Sequence, residues 1–226
     1  MTNSTIKKEE YVAKIIHDLQ SPISAQIAAL ESFLFTSGEK ISQEEKDLIL
    51  LTLNSCNYMQ KLIDIFNSIY KLDFEPIKLN YEKFNVVDLI KNLLEETNIL
   101  TKYYELNINL QSEEKIILNA DKIQIKRVIE NLILNSINYA FKNSTVEISA
   151  NSSANVFNFI IKNKSPYIET QKLKDVFQKQ KSLYNKSATD LALYLSREII
   201  LAHDGTMLAQ SYVDNTNILG FKIPIK

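Results

Sequence analysis

At 226 residues the chain is long enough for one large or two small domains, and its 45% hydrophobic and 23% charged content is that of an ordinary globular protein. A net charge of −1 gives no footprint for nucleic acid or a membrane surface. No apolar run approaches the roughly 18 residues of a membrane span, and the polar start, Met1 to Glu10, lacks the apolar core of a signal peptide.

These features fit the expectation of a cytoplasmic protein. The single cysteine, Cys56, excludes an internal disulfide and falls in an apolar helical pattern, where it reads as a small core residue. Only three glycines occur, Gly38, Gly205 and Gly220.

Residues 5–36 read as one long helix, with Val12, Ile16, Leu19, Ile23, Ile27, Leu30 and Leu34 at spacings of three and four. Gly38 is its stop signal. Ser42 and Glu45 have capping-box spacing and start a second helix over about 43–72. Leu48, Leu51, Ser55, Tyr58, Leu62, Ile65 and Ile69 repeat there as a heptad stripe. A second stripe, Ile49, Cys56, Met59, Ile63, Phe66 and Tyr70, lies beside it. One partner helix cannot cover both, so the expectation is a helical hairpin that pairs with a second copy into a four-helix bundle, a homodimer.

Residues 1–72 form this unit, residues 73–80 around Pro76 a linker, and residues 81–226 a second domain. In that domain Ile77–Phe84, Glu105–Gln111, Lys115–Asn119, Thr145–Ala150, Val156–Lys162, Thr206–Tyr212 and Ile218–Ile225 read as strands. Helical patterns cover about 86–101, 121–142, 169–179 and 190–203. The fold class is therefore an all-α hairpin followed by an α+β sandwich, a sheet with helices on one face.

Two constellations carry chemistry. In His17-Asp18-Leu19-Gln20-Ser21-Pro22 the histidine sits on the flank of the apolar stripe, just before a proline that interrupts the helix. Neutral imidazole is a competent nucleophile near neutral pH, a neighbouring carboxylate activates it, and Ser21 one turn on shares its face. A lone His-Asp pair of this kind is otherwise a plain surface pair. Farther on, Asn131 and Asn135 lie four apart on one helical face, a spacing that suits Mg²⁺ or phosphate oxygens if they face a cleft.

The His17 run resembles the phosphoacceptor motif of sensor histidine kinases, with Gln20 where that family commonly has Arg. The resemblance implies that His17 carries a phosphoryl group, Asp18 assists as base and Ser21 supports dephosphorylation of a partner. Glu130-Asn131-Leu132-Ile133-Leu134-Asn135-Ser136 resembles the asparagine box of the family's GHKL-type ATP-binding domain, in which Asn135 would coordinate Mg²⁺. His203-Asp204-Gly205 sits at the family's His-Gly-Gly position, and Gly220-Phe221-Lys222-Ile223-Pro224 resembles its last strand.

Between these landmarks the chain departs from the family. The Asp-x-Gly-x-Gly segment aligns with Asn163-Lys164-Ser165-Pro166-Tyr167, which lacks the adenine-binding carboxylate and both glycines. The second glycine box aligns with Ala188-Thr189-Asp190-Leu191-Ala192-Leu193, also without glycine. Such glycines let backbone N–H groups approach phosphates. Asp190 instead places a carboxylate near triphosphate charge, and a like-charge contact at ~4 Å costs roughly 1–4 kcal/mol.

Asn131, Asn135, Asn163 and Asp190 thus outline a vestigial nucleotide site in which Mg-ATP is at best weakly held. The segment 162–186 matches the family's mobile lid; its Lys162, Lys164, Lys172, Lys174, Lys179, Lys181 and Lys186 read as a solvated loop or as a docking surface for an acidic protein.

The expected function is histidine phosphotransfer between His17 and the aspartate of a response-regulator receiver domain in a phosphorelay, with a hybrid kinase upstream, like the histidine phosphotransferases derived from this family. A divergent ATP-dependent kinase that phosphorylates His17, and a pseudokinase that acts by binding alone, are the alternatives.

Overall fold

The computed structural model describes residues 3–37, 40–72, 74–175, 177–178 and 188–225. The chain divides into two compact units, Met1–Glu75 and Pro76–Lys226.

The first unit is a hairpin of α1, Asn3–Ser37, and α2, Gln43–Leu72. The stop expected at Gly38 lies outside the described residues. The capping box at α2 forms in both directions: Glu45 Oε2 accepts from the Ser42 backbone N–H and hydroxyl, each at 2.8 Å, while Ser42 Oγ accepts from the Glu45 N–H at 3.3 Å. The backbone bond to Ser42 holds the Glu45 carboxyl below its ordinary pKa.

Among the described residues Ile16 of α1 and Cys56, Ile65 and Ile69 of α2 are the buried apolar positions of this unit. The expected heptad stripe therefore splits: Ile65 and Ile69 are inside, while Leu48 and Leu51 are each 64% exposed, with Tyr58, Met59 and Phe66 also exposed. Two helices can cover only one narrow seam, so the upper part of that stripe and much of its neighbour face outward.

In the second unit Asn85 ends β1, Glu82–Asn85, and caps α3, Val86–Glu96; its Oδ1 accepts from the N–H groups of Val87 and Ile116 at 3.2 and 3.1 Å. The helix expected over 86–101 breaks at Thr97. Its hydroxyl donates to the carbonyls of Leu93 and Leu94, the chain turns, and a short α4 follows over Asn98–Tyr103. The strand expected at Ile77–Phe84 is paired only from Glu82, because the Asn80 N–H is taken by Asp121 Oδ2 at 2.9 Å.

The strands β2 (Asn107–Ser112), β4 (Thr145–Ser153), β5 (Val156–Lys164), β6 (Thr206–Ser211) and β7 (Thr216–Pro224) form one sheet in the order β2-β4-β5-β7-β6. Only β2 and β4 pair in parallel. Separately, β1 pairs antiparallel with β3, Ile117–Ala120.

Helices α5 (Lys122–Tyr139) and α7 (Ala188–Ala202) bury Ile125, Ile129, Leu132, Ile133 and Ile199 in the core that also takes Phe157, Phe159, Ile161 and Phe221 from the sheet. A short α6, Thr170–Asp175, is all that forms of the helix expected at 169–179 among the described residues. On β5 the odd positions are buried in alternation, so Asn163 continues the line of Phe157, Phe159 and Ile161 at the strand end.

Asparagine replaces glycine at many turns. Asn143, Asn155, Asp204 and Asn215 all have φ near +60°, and no described glycine has positive φ. The β4–β5 turn places Ala154 and Asn155 at φ 50° and 61°, the pair of left-handed residues that a tight hairpin needs. Gly205 serves close approach instead: a Cβ there would strike the Lys222 carbonyl and, at 2.6 Å, the Ile223 side chain.

Candidate functional site

The helical unit presents His17 on its surface. The side chain is 81% exposed and its Nδ1 lies 3.4 Å from Asp18 Oδ1, whose own side chain is 61% exposed. A carboxylate beside Nδ1 favours the proton on that nitrogen and leaves the Nε2 lone pair free. The neighbour Ile16 is buried and anchors the turn in the hairpin seam. Ser21, one turn on, is exposed, so histidine, acid and hydroxyl share an open surface.

Beneath them a polar relay that sequence reading missed crosses to α2. Gln20 Nε2 donates to Asp64 Oδ1 at 2.8 Å, Gln60 Nε2 donates to the same oxygen at 3.3 Å, and Ser24 Oγ donates to Gln60 Oε1 at 3.4 Å. The signal was available: Gln60 and Asp64 are polar residues four apart on α2.

In the second unit the asparagines have different fates. Asn131 is buried, and its amide donates to Ser196 Oγ at 3.2 Å and to the Ala192 carbonyl at 3.5 Å, bracing α5 against α7. It faces a neighbouring helix rather than an open cleft. Asn135 is half-buried and has no hydrogen-bond partner among the described residues. Asn163 is buried and donates to the Ser136 carbonyl at 3.3 Å. The side chain of Asp190 lies outside the described residues, as do those of Lys174, Lys179, Lys181 and Lys186.

Around Asn163 the chain is laced to itself. Its register partner Asn217 donates from one amide to Ser165 O at 3.0 Å, Ser165 Oγ at 2.5 Å and Pro166 O at 3.1 Å. Tyr167 N–H donates to Asn215 Oδ1 and Ile168 N–H to Ser211 Oγ, so the stretch after β5 is pinned to the β6–β7 turn. Ser136 Oγ and Asn217 Oδ1 are buried without a partner among the described residues.

These residues do not fit Mg-ATP as a set. The adenine-binding carboxylate is absent, the Asn131 and Asn163 amides are spent on protein acceptors, and among the described candidate ligands only Asn135 remains uncommitted. The lysines of this region are also partly neutralised: Lys162 pairs with Glu147, Lys164 with Asp214 and Lys172 with Glu169.

Lys164 and Thr216 hold Asp214 down to a pKa of about 2, the Lys164 hydrogen bond contributing most. A depressed carboxylate stabilises the fold above its unfolded pKa of about 4, and that contribution is lost as pH falls through the folded value. Asp214→Asn should therefore lower Tm by its full amount at neutral pH. The gap to wild type should close between about pH 4 and pH 2 in thermal melts.

His203 is a strut rather than a reactive group. It is buried, its Nδ1 lies 2.8 Å from the Ile199 carbonyl, and its Nε2 accepts from the Asp121 N–H at 3.1 Å. Since a carbonyl only accepts, the proton is on Nδ1. The ring thereby ties the end of α7 to the start of α5, and Tyr81 packs on it at 5.8 Å. His203→Leu strands the Asp121 N–H and should cost about 1–3 kcal/mol in urea unfolding.

Comparison with known proteins follows the same division. Residues 120–225 match the family of histidine kinase-, DNA gyrase B- and HSP90-like ATPases. The sensor protein VanS of Enterococcus faecium is 24% identical over 224 residues, covering 97% of this chain and 57% of VanS. Over nearly its whole length this chain is similar to sensor histidine kinases. It spans about half the length, or less, of the curated relatives it matches.

In fold it is similar to the histidine kinase AdeS of Acinetobacter baumannii, with a TM-score of 0.62 at 19% identity over 93% of this chain and 98% of that one. It is also similar to the histidine kinase ThkA in its complex with the response regulator TrrA, with a TM-score of 0.64 at 21% identity over 96% and 61%. These likenesses bear out the expected fold class, a helical hairpin followed by an α+β sandwich. Among the described residues no helix is long and apolar enough to cross a membrane.

Proposed function

We propose that the chain is a histidine phosphotransfer protein of a two-component phosphorelay. His17 exchanges a phosphoryl group with the aspartate of a response-regulator receiver domain, fed by a hybrid kinase upstream. In the forward step Nε2 of His17 attacks the phosphorus of an aspartyl phosphate, the N–P bond forms, and the P–O bond to the receiver carboxylate breaks. Asp18 stabilises the proton on Nδ1 as positive charge develops on the ring.

The observation that carries this reading is an imidazole open to solvent beside a carboxylate, in a chain whose Asn131 and Asn163 amides are committed internally. Residues 1–72 serve as the dimerisation and phosphotransfer hairpin, 73–80 as linker, and 81–226 as a degenerate ATP-binding domain with a docking or structural role.

A homodimer is supported by the outward apolar side chains of the hairpin: Phe35 is 92% exposed, and Leu48, Leu51 and Tyr58 lie open on α2. A second hairpin would bury them as a four-helix bundle, and cytoplasmic receivers would reach His17 on its rim. The test is incubation with a phosphorylated receiver. Acid-labile, base-stable phosphate should appear on the chain; its absence overturns the reading.

The second reading, ATP-driven phosphorylation of His17 by a divergent kinase, draws on the family match over residues 120–225 and on the uncommitted Asn135. Labelled Mg-ATP distinguishes the two. Label on His17, with nucleotide-dependent thermal stabilisation, supports the kinase.

A further inference from the structure

The turn that carries His17 lacks part of its own backbone support. Pro22 has no N–H, so the Asp18 carbonyl four residues earlier loses its regular i+4 donor. The regular ladder of α1 is thus short of one bond immediately after the histidine, although the helix continues to Ser37.

Beside that missing bond the side chains of the polar relay connect α1 to α2. Ser24 is seven residues from His17 and lies nearly in line with it along the helix, while Gln20 is three residues on and occupies the adjoining flank. Both reach α2, Gln20 to Asp64 and Ser24 to Gln60, and Gln60 joins the two by donating to the same Asp64 oxygen. Asp64 is half-buried, close in sequence to the buried Ile65, and its Oδ1 is held by two neutral amides. A polar contact inside an apolar helical seam fixes register and rotation more than it adds stability.

We infer that Gln20 and Asp64 are positioning residues for the chemistry at His17: their bond sets the rotation of the His17 turn about the α1 axis and so the direction of Nε2. This rests on the phosphotransfer reading of His17. Neither residue touches the reacting atoms; each acts through the helix that bears the imidazole.

The test uses the full chain with Gln20→Ala, Asp64→Ala, the double variant and Asp64→Asn, whose amide oxygen still accepts from Gln20. Two readouts are taken: the kinetics of phosphate uptake from a phosphorylated receiver, and the ring resonances of the histidines by NMR. Both alanine variants should lower the maximal transfer rate roughly 10- to 100-fold, with the half-saturating receiver concentration unchanged. The double variant should be no worse than the single ones. Asp64→Asn should restore the rate. The His17 resonances should move in the alanine variants and return in Asp64→Asn, while those of buried His203 stay fixed.

Unchanged rates and resonances overturn the inference. So do additive losses in the double variant, or an effect confined to the half-saturating concentration, which would make these residues docking contacts. The NMR arm needs no phosphate. If wild type takes up none, the reading of His17 fails on its own, while the resonances still decide whether the relay orients the ring.

Discussion

His17→Gln should reduce phosphate uptake from a receiver to background while leaving the protein folded. Glutamine matches the size of imidazole but offers no nucleophilic ring nitrogen. No second histidine can replace it: of the two in the chain, His203 is buried with both nitrogens engaged. Because His17 is open to solvent, its loss should shift stability by no more than about 0.5 kcal/mol, as for most surface substitutions.

Asp18→Asn separates the roles of the pair. The imidazole remains, but the carboxylate that balances charge on Nδ1 is gone, so transfer should slow by roughly 10²-fold rather than vanish. Radiolabel transfer followed by acid and base treatment reads both variants. Full uptake in His17→Gln would move the phosphate to another residue.

How much of this was legible in the sequence depended on how local the determining physics is. The hairpin was readable because Ser42 and Glu45 encode a cap within four residues and apolar spacing repeats over eight turns. The sandwich was readable in outline, but boundaries set by single side chains were not. The hydroxyl of Thr97 divides α3 from α4, and Asp121 takes the Asn80 N–H from 41 residues away. Propensity over a window contains neither contact.

At the sites, His17 and Asp18 were legible because they are adjacent in sequence. Asn131 was legible as a conspicuous residue but not in its contacts, since Ser196 lies 65 residues farther on. The lacing of Asn217 to Ser165 and Pro166 depends on the β5–β7 register, which appears only once the sheet is built. The scarcity of glycine was legible only as the loss of the phosphate-binding boxes. In the fold, asparagine and aspartate occupy four of the left-handed turn positions, and the described glycines occupy crowded ones.

Gly220→Ala should be among the most damaging single-methyl changes available in the second unit. Gly220 sits in β7 between Ile160 of β5 and Leu208 of β6, so its strand is paired on both edges. A Cβ there would meet the backbone carbonyl of Phe159, with Ile160 Cα at 3.1 Å behind it. Both obstacles are strand backbone rather than the end of a flexible chain. Relief requires parting the ladder beside Phe221, whose ring packs on Phe159 and Phe157 at 5.6 and 5.9 Å. Overpacking of this kind typically costs 1–3 kcal/mol, and with rigid β5 backbone as the obstacle about 3 kcal/mol is expected.

Against a typical domain stability of about 5–15 kcal/mol, that is enough to bring the second unit's urea midpoint down sharply. A shift below about 1 kcal/mol would mean that the β5–β7 ladder relaxes more readily than its packing implies. The same variant divides the two functional readings. Phosphate accepted from a receiver needs only the His17 surface of the first unit, so uptake should survive when urea has unfolded the second unit and spared the hairpin. Phosphate drawn from ATP needs the second unit intact, and labelling should then be lost together with its fold.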